Sequence, residues 1–159
     1  MIQRIQSLHL LIAAIFMAIF AFAPYMTLST PDADYRLTTT RLETIASENA
    51  ITVSTQNYTL AILSLLTALL SLITIFLFKN RKLQVLVCRI NLLLYITLYI
   101  VMILYGYFTY TDLHPTTFAT TTYVIFPVCA IIVNSLAISG IQKDERMVKD
   151  SERMWSRKN

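Results

Sequence analysis

The sequence has little charge, little glycine and little cysteine, and each shortage excludes a class of protein. Charged residues make up 14% of the 159 residues, whereas a soluble domain typically has about 25%. Two glycines cannot form a glycine-rich phosphate-binding loop. Two cysteines, with no Cys and His set at zinc-ligand spacing, argue against a zinc module. What the sequence has instead is 56% hydrophobic residues, a composition typical of a membrane protein.

Four apolar stretches are long enough to cross a membrane. A bilayer core about 30 Å thick needs about 20 mostly apolar residues in a helix. The stretches cover about residues 8–28, 60–78, 89–110 and 118–141. The first one contains Ala21-Phe22-Ala23, which resembles a signal-peptide cleavage site. Because Pro24 would directly follow the cut, we interpret this stretch as a retained span.

The basic residues predict the orientation of these spans. Of the 13 Lys and Arg residues, all but Arg36 and Arg41 fall in the N-terminal segment, in or just after the loop that follows the second stretch, or in the C-terminal tail. Because cytoplasmic segments carry an excess of Lys and Arg, both termini and the middle loop are expected in the cytoplasm. The loop at 29–58 and the loop before the fourth span then lie outside.

Alternation of apolar and polar residues in the outer loop 29–58 is typical of strands. It occurs at two places, at Tyr35, Leu37 and Thr39 and again at Ile51, Val53 and Thr55. A small β-hairpin is one interpretation of this loop, and a mostly irregular cap is the other.

Small residues at helical spacing predict how the spans pack, because helices in lipid associate through close contacts between small side chains. Three spans carry such stripes at steps of three or four, namely Ala14, Ala18 and Ala21; Ala61, Ser64, Ala68 and Ser71; and Ala130, Asn134 and Ala137. We expect the stripes to face the interior of an all-α four-helix transmembrane bundle. Pro127 should bend the fourth span near its middle, because proline lacks a backbone N–H.

Polar residues near the cytoplasmic ends of the spans form a candidate cluster. No Asp or Glu falls within a predicted span, which disfavours a proton-coupled transporter with a carboxylate relay. The cluster would consist of Gln6, His9, Arg89, Asn91 and Asn134. One hypothesis is that the side chain of Asn134 holds Arg89. The alternative is that Arg89 only belongs to the basic belt at the membrane surface.

The tail at 142–159 has the pattern of a charged helix with a narrow apolar stripe. Ile141, Val148 and Trp155 recur every seven residues, and so do Met147 and Met154. The pattern predicts a cytoplasmic amphipathic helix, although two heptads are too few for a free coiled coil. It could dock on a partner protein, lie on the inner leaflet, or be a solvated end of the fourth span.

No group of residues predicts catalysis. Asp112 and His114 share a short outer loop, but no nucleophile and no metal-ligand set accompanies them. We therefore expect no enzyme activity and no catalytic, cofactor-binding or metal-binding residues. The positive-inside rule accounts for the basic residues, so a nucleic-acid partner is not expected either.

Four segments carry a resemblance to a known family. They are IQRIQSL at 2–8, FLFKNRKLQ at 76–84, CRINLLL at 88–94 and IQKDERMVKDSERMW at 141–155. In these segments the chain resembles a bacterial family of short four-span membrane proteins known only as a domain of unknown function. The resemblance implies a bacterial inner membrane, and it supplies no activity, cofactor or site residue.

The sequence thus predicts a four-span membrane domain over residues 1–141 and a cytoplasmic helical tail over 142–159. The predicted function is that of a non-catalytic accessory or scaffold subunit, in contact with the lipid bilayer and with other integral membrane proteins. Secretion or envelope assembly machinery is the expected setting. The alternative is a small transporter or channel, as a homo-oligomer, and a membrane-embedded enzyme has the least support.

Overall fold

The computed structural model describes residues 2–45 and 51–156, and within them four helices carry a five-stranded sheet at one end. The helices are α1 (Ile2–Phe20), α2 (Thr59–Phe76), α3 (Arg81–Leu113) and α4 (Ile125–Ser156). The strands are β1 (Pro24–Ser29), β2 (Asp34–Thr38), β3 (Arg41–Ile45), β4 (Ile51–Gln56) and β5 (Thr117–Thr120).

Among the residues that the structure describes, three helical segments are long and apolar enough to cross a membrane, which confirms that part of the prediction. They are Thr59–Phe76, Arg81–Leu113 and Thr122–Val148. The apolar part of α1, Ile5–Phe20, is shorter. At about 1.5 Å per residue it covers about 24 Å, less than the bilayer core of about 30 Å.

The helices pack as a bundle in which α1 contacts α2 and α4, and α3 contacts the same two helices from the other side. We call the end that carries the strands the sheet side and the opposite end the tail side. On the tail side α1 begins and α4 ends, so that Gln6 near the start of α1 contacts Asp144 in α4.

The sheet joins the two connections on the sheet side of the bundle. All strands are antiparallel, in the order β4-β3-β2-β1-β5. Strand β1, the neighbour of the edge strand β5, lies in the α1–α2 connection, and β5 lies between α3 and α4. Leu28 of β1 is opposite Tyr35 on one side and Phe118 on the other, and it is fully buried. The two connections are thereby fixed to each other.

The prediction of a first span reaching Leu28 is wrong, because α1 ends at Phe20 and β1 begins at Pro24. An apolar run of this length does not distinguish helix from strand by periodicity alone. Proline is well placed as the first residue of a strand. The end of α1 is secured by Thr39, whose hydroxyl donates to the carbonyl oxygen of Ala21 at 2.6 Å.

The all-α fold class is also wrong in part, because the protein is mostly helical but contains the sheet. The two segments of the predicted hairpin lie on β2 and β4, yet β3 lies between them and pairs with both. Strand β5 falls inside the stretch predicted as the start of the fourth span.

The predicted bend at Pro127 is wrong as well. Because α4 begins at Ile125, Pro127 lies in its first turn, where no helical hydrogen bond from its nitrogen is needed. From there α4 continues through residues 141 and 142 without interruption to Ser156.

Candidate functional site: polar contacts within the bundle and a cavity beneath the sheet

A buried hydrogen-bond network joins α2 to α3. The side-chain amide of Asn91 donates to the hydroxyl of Ser71 at 2.8 Å and to the carbonyl of Thr67 at 3.2 Å. The hydroxyl of Tyr95 lies 3.2 Å from both the Asn91 amide and the Ser71 hydroxyl. Polar groups in an apolar interior are costly unless they are bonded. This network therefore stabilises one arrangement of the two helices.

A second buried contact joins α3 to α4. The amide of Asn134 donates to the backbone carbonyl of Cys88 at 3.0 Å. Arg89, the next residue in α3, is exposed, and the carbonyl oxygen of Asn134 has no hydrogen-bond partner. The hypothesis that Asn134 holds the Arg89 side chain is therefore wrong, and the amide holds the backbone of α3 instead.

A third contact joins α1 to α4 on the tail side. The side-chain amide of Gln6 donates to a carboxylate oxygen of Asp144 at 2.6 Å, and both residues are buried. The other carboxylate oxygen of Asp144 is buried without a partner. Gly140 gives this pair room, because a Cβ there would lie 3.2 Å from Cγ of Gln6.

Three of the five predicted polar residues take part in separate hydrogen bonds between helices. Gln6 contacts α4, Asn91 contacts α2, and Asn134 contacts the backbone of α3. His9 is half-buried, and its Nδ1 has no hydrogen-bond partner. Arg89 is exposed. Sequence reasoning missed Asp144, although its spacing from Ala137 and Ile141 places it on the inner face of α4.

The small-residue stripes are buried, with one exception. The buried members are Ala14, Ala21, Ala61, Ser64, Ala68, Ser71, Ala130, Asn134 and Ala137. Ala18 is exposed and does not belong to the inner face of α1. Met17 and Phe20 occupy that face instead, so large side chains complete a stripe that the sequence suggested was small throughout.

The predicted apolar stripe of the tail is divided between the bundle and its surface. Ile141 is buried and packs with Leu10 and Cys88. Met147, Val148 and Met154 are exposed. The side chain of Trp155 lies outside the described residues. A surface stripe therefore begins only after Ile141.

A cavity of about 380 Å³ lies between the sheet and the ends of α2 and α3. It is lined by Tyr25, Leu37, Thr38, Thr39, Arg41, Leu42, Thr55, Asn57, Leu60, Tyr105, Phe108, Thr109, Asp112 and Leu113. Burial, and to a smaller degree the charge of nearby Tyr105, raises the pKa of Tyr25. Tyr25 therefore stays neutral and able to donate a hydrogen bond at physiological pH. No sequence pattern indicates this cavity, because strand pairing brings its walls together.

A second cavity of about 380 Å³ adjoins α3 and is almost wholly apolar. Its walls are Tyr25, Met26, Met102, Ile103, Gly106, Tyr107, Tyr110, Phe118, Thr120 and Val124. Tyr25 lines both cavities. A Cβ at Gly106 would lie 3.2 Å from the sulfur of Met26. The absence of a side chain at Gly106 therefore leaves room for Met26 in this wall.

No candidate metal site is found in the described ranges, 2–45 and 51–156. They contain no group of three or more His, Cys, Asp or Glu side chains that could hold a metal ion. Cys88 is buried, Cys129 is half-buried, and both are free thiols.

Comparison with known proteins gives a family but no relative of established activity. No curated protein matches the chain. The family model described as "Domain of unknown function (DUF4293)" matches residues 2–154, which confirms the resemblance to a domain of unknown function. Because the match covers nearly the whole sequence, the chain belongs to this family.

Proposed function

We propose that this protein is a non-catalytic accessory or scaffold subunit of the bacterial inner membrane that binds other integral membrane proteins. The observation that carries the proposal is the length of α4. It continues as a helix to Ser156 and presents Met147, Val148 and Met154 to the surroundings.

The end of α4 extends well past its neighbours. From the level of the Gln6–Asp144 contact, α1 continues for about 6 Å toward the tail side and α4 for about 18 Å. From the level of the Asn134–Cys88 contact, α3 continues for about 10 Å and α4 for about 33 Å. The last two turns of α4 thus extend beyond the described residues of α1 and α3.

Exposed apolar side chains on this extension favour a protein partner. Met154 is 64% exposed within a sequence rich in both charges. Met is common at adaptable binding surfaces because its side chain is flexible and polarisable. An amphipathic helix of this kind is suited to binding in an apolar groove of a partner.

The interior of the bundle disfavours the alternative of a transport path through one copy. Several of its buried polar side chains donate to other side chains or to backbone carbonyls across the helix contacts, as the amides of Asn91 and Asn134 do. Small buried residues close the contacts between helices. The two cavities described above lie on the sheet side, and their walls include no residue of the tail-side half.

The distribution of Lys and Arg supports an orientation with the tail side in the cytoplasm and the sheet outside. In this orientation both termini are cytoplasmic, and the extension of α4 would meet cytoplasmic parts of a membrane complex.

Co-purification at native expression level tests the proposal. Membranes are extracted in mild detergent from cells with the unmodified chain, a chain lacking residues 149–159, Met154→Gln, or the control Arg146→Gln. Arg146 is also exposed, but it lies about 100° around the helix from Met147. We expect one membrane complex that survives Arg146→Gln and is lost with the other two changes. A lone monomer or homo-oligomer that conducts solute in liposomes would contradict the proposal.

A further inference from the structure

The cavity beneath the sheet carries opposite charges on two walls. Arg41 begins β3 on the sheet wall, and Asp112 lies in the last turn of α3 on the opposite wall. Both residues are exposed, whereas Tyr25, Leu37 and Leu60 are buried. The charged groups therefore lie at the mouth of the cavity, and aromatic and apolar groups form its floor.

Both charged side chains keep capacity for a ligand. Nε of Arg41 donates to Glu43 at 2.8 Å, and this is the one contact of its guanidinium among the described residues. A guanidinium has five N–H donors, so its terminal amino groups remain available. The carboxylate of Asp112 forms no ion pair within the described ranges.

The charge balance of the mouth selects the class of ligand. The two charged side chains in the lining, Arg41 and Asp112, carry one charge of each sign. A purely anionic ligand would leave the carboxylate of Asp112 without a counter-charge, whereas a zwitterionic ligand would match both side chains. A phosphate group accepts two hydrogen bonds from one guanidinium. An ammonium group pairs with a carboxylate and is attracted by aromatic faces, which Tyr105 and Phe108 supply in the lining.

The position of the cavity places it at the level of lipid head groups. It lies where the apolar helices α2 and α3 end, and exposed Tyr107 and Tyr110 surround the same end of α3. Tyrosine is enriched at this level of a membrane. A volume of about 380 Å³ lies at the small end of the range for ligand sites, which suits a head group without its acyl chains.

We infer that this cavity binds the phosphate–ammonium group of a zwitterionic phospholipid, with the phosphate at Arg41 and the ammonium at Asp112. Phosphatidylethanolamine is bound in preference to the anionic phosphatidylglycerol. The inference is independent of the tail, so that it and the proposed function can fail separately.

Native mass spectrometry of the detergent-purified full chain with each lipid tests the inference. The unmodified protein should bind phosphatidylethanolamine about tenfold more tightly than phosphatidylglycerol. This ratio corresponds to the binding free energy that one charge-assisted hydrogen bond contributes. Asp112→Asn should abolish this preference, while the control Asp32→Asn should keep it. Asp32 undergoes the same loss of charge and is exposed outside the cavity lining. Arg41→Gln should weaken the binding of both lipids, and Arg36→Gln should weaken neither.

Soluble glycerophosphoethanolamine tests whether the phosphate–ammonium group must belong to a membrane lipid or can belong to a soluble molecule. If it displaces the lipid from the unmodified protein but not from Asp112→Asn, the cavity recognises the zwitterion with or without acyl chains. If only the lipid binds, with the same dependence on Asp112, the ligand is a membrane lipid. Equal binding of the two lipids by the unmodified protein, or equal effects of Asp112→Asn and Asp32→Asn, would overturn the inference.

Discussion

The two ends of the bundle are built differently. On the tail side, Leu10 and Ile141 are almost fully buried, and the Gln6–Asp144 hydrogen bond fills the space beside Gly140. On the sheet side, two cavities of about 380 Å³ each lie against α3. The tail side thus encloses a polar pair within a small buried cluster, whereas the sheet side combines a larger buried cluster with capacity for a ligand.

The largest effect is expected from truncation of the tail-side core. Leu10→Ala should lower the free energy of unfolding by about 2–5 kcal/mol, because the side chain is fully buried and leaves a cavity. Leu11→Ala is the matched control, since Leu11 is 42% exposed on the outer face of α1, and it should cost far less. Reversible unfolding in mixed micelles measures both values. Equal losses would mean that the tail side is not closely packed.

A smaller effect is expected in the middle of the bundle, between the two regions. Asn91→Leu removes the amide that joins Ser71, Tyr95 and the backbone of α2. We expect a loss of about 1–2 kcal/mol, the upper end of measured values for hydrogen bonds between membrane helices. Thr97→Val should have almost no effect, because Thr97 is exposed and bonds within its own helix. If Asn91→Leu were also neutral, the network would contribute no stability.

The smallest effects are expected from alanine substitutions at the two glycines. An added Cβ would meet a neighbouring side chain at 3.2 Å at both Gly106 and Gly140. At Gly106 the neighbour is the flexible end of Met26 beside a cavity, so Gly106→Ala should stabilise the helix by up to about 1 kcal/mol. At Gly140 the neighbour is Gln6, which is held by Asp144.

Gly140→Ala should therefore lower the free energy of unfolding by about 1 kcal/mol, because Gln6 must shift and weaken its hydrogen bond. The two melting temperatures in one detergent give the signs of both changes. A change of the same sign and size at both positions would remove the distinction between Gly106, which lies beside a cavity, and Gly140, which lies beside a hydrogen-bonded side chain.

The helices could be predicted from the sequence because each apolar run of α2 and α3 is longer than a strand can be. Strand β1 could not, because the residues up to Leu28 continue the apolar run of α1 with only Pro24 and Thr27 as interruptions. Asp144 was missed because it stands among charged residues of the tail, although helical spacing places it on the inner face. The cavity could not be predicted, since Arg41 and Asp112 line one cavity only through the pairing of β1, β2 and β3.

Site-specific photo-crosslinking in intact cells tests directly whether the tail binds another membrane protein. A photoreactive residue is placed at Met154, and a control is placed at Asp32, which is exposed in the turn between β1 and β2. We expect one discrete membrane-protein adduct from position 154 and none of that mass from position 32. Adducts from position 154 that contain only lipid, or only a second copy of this chain, would contradict it.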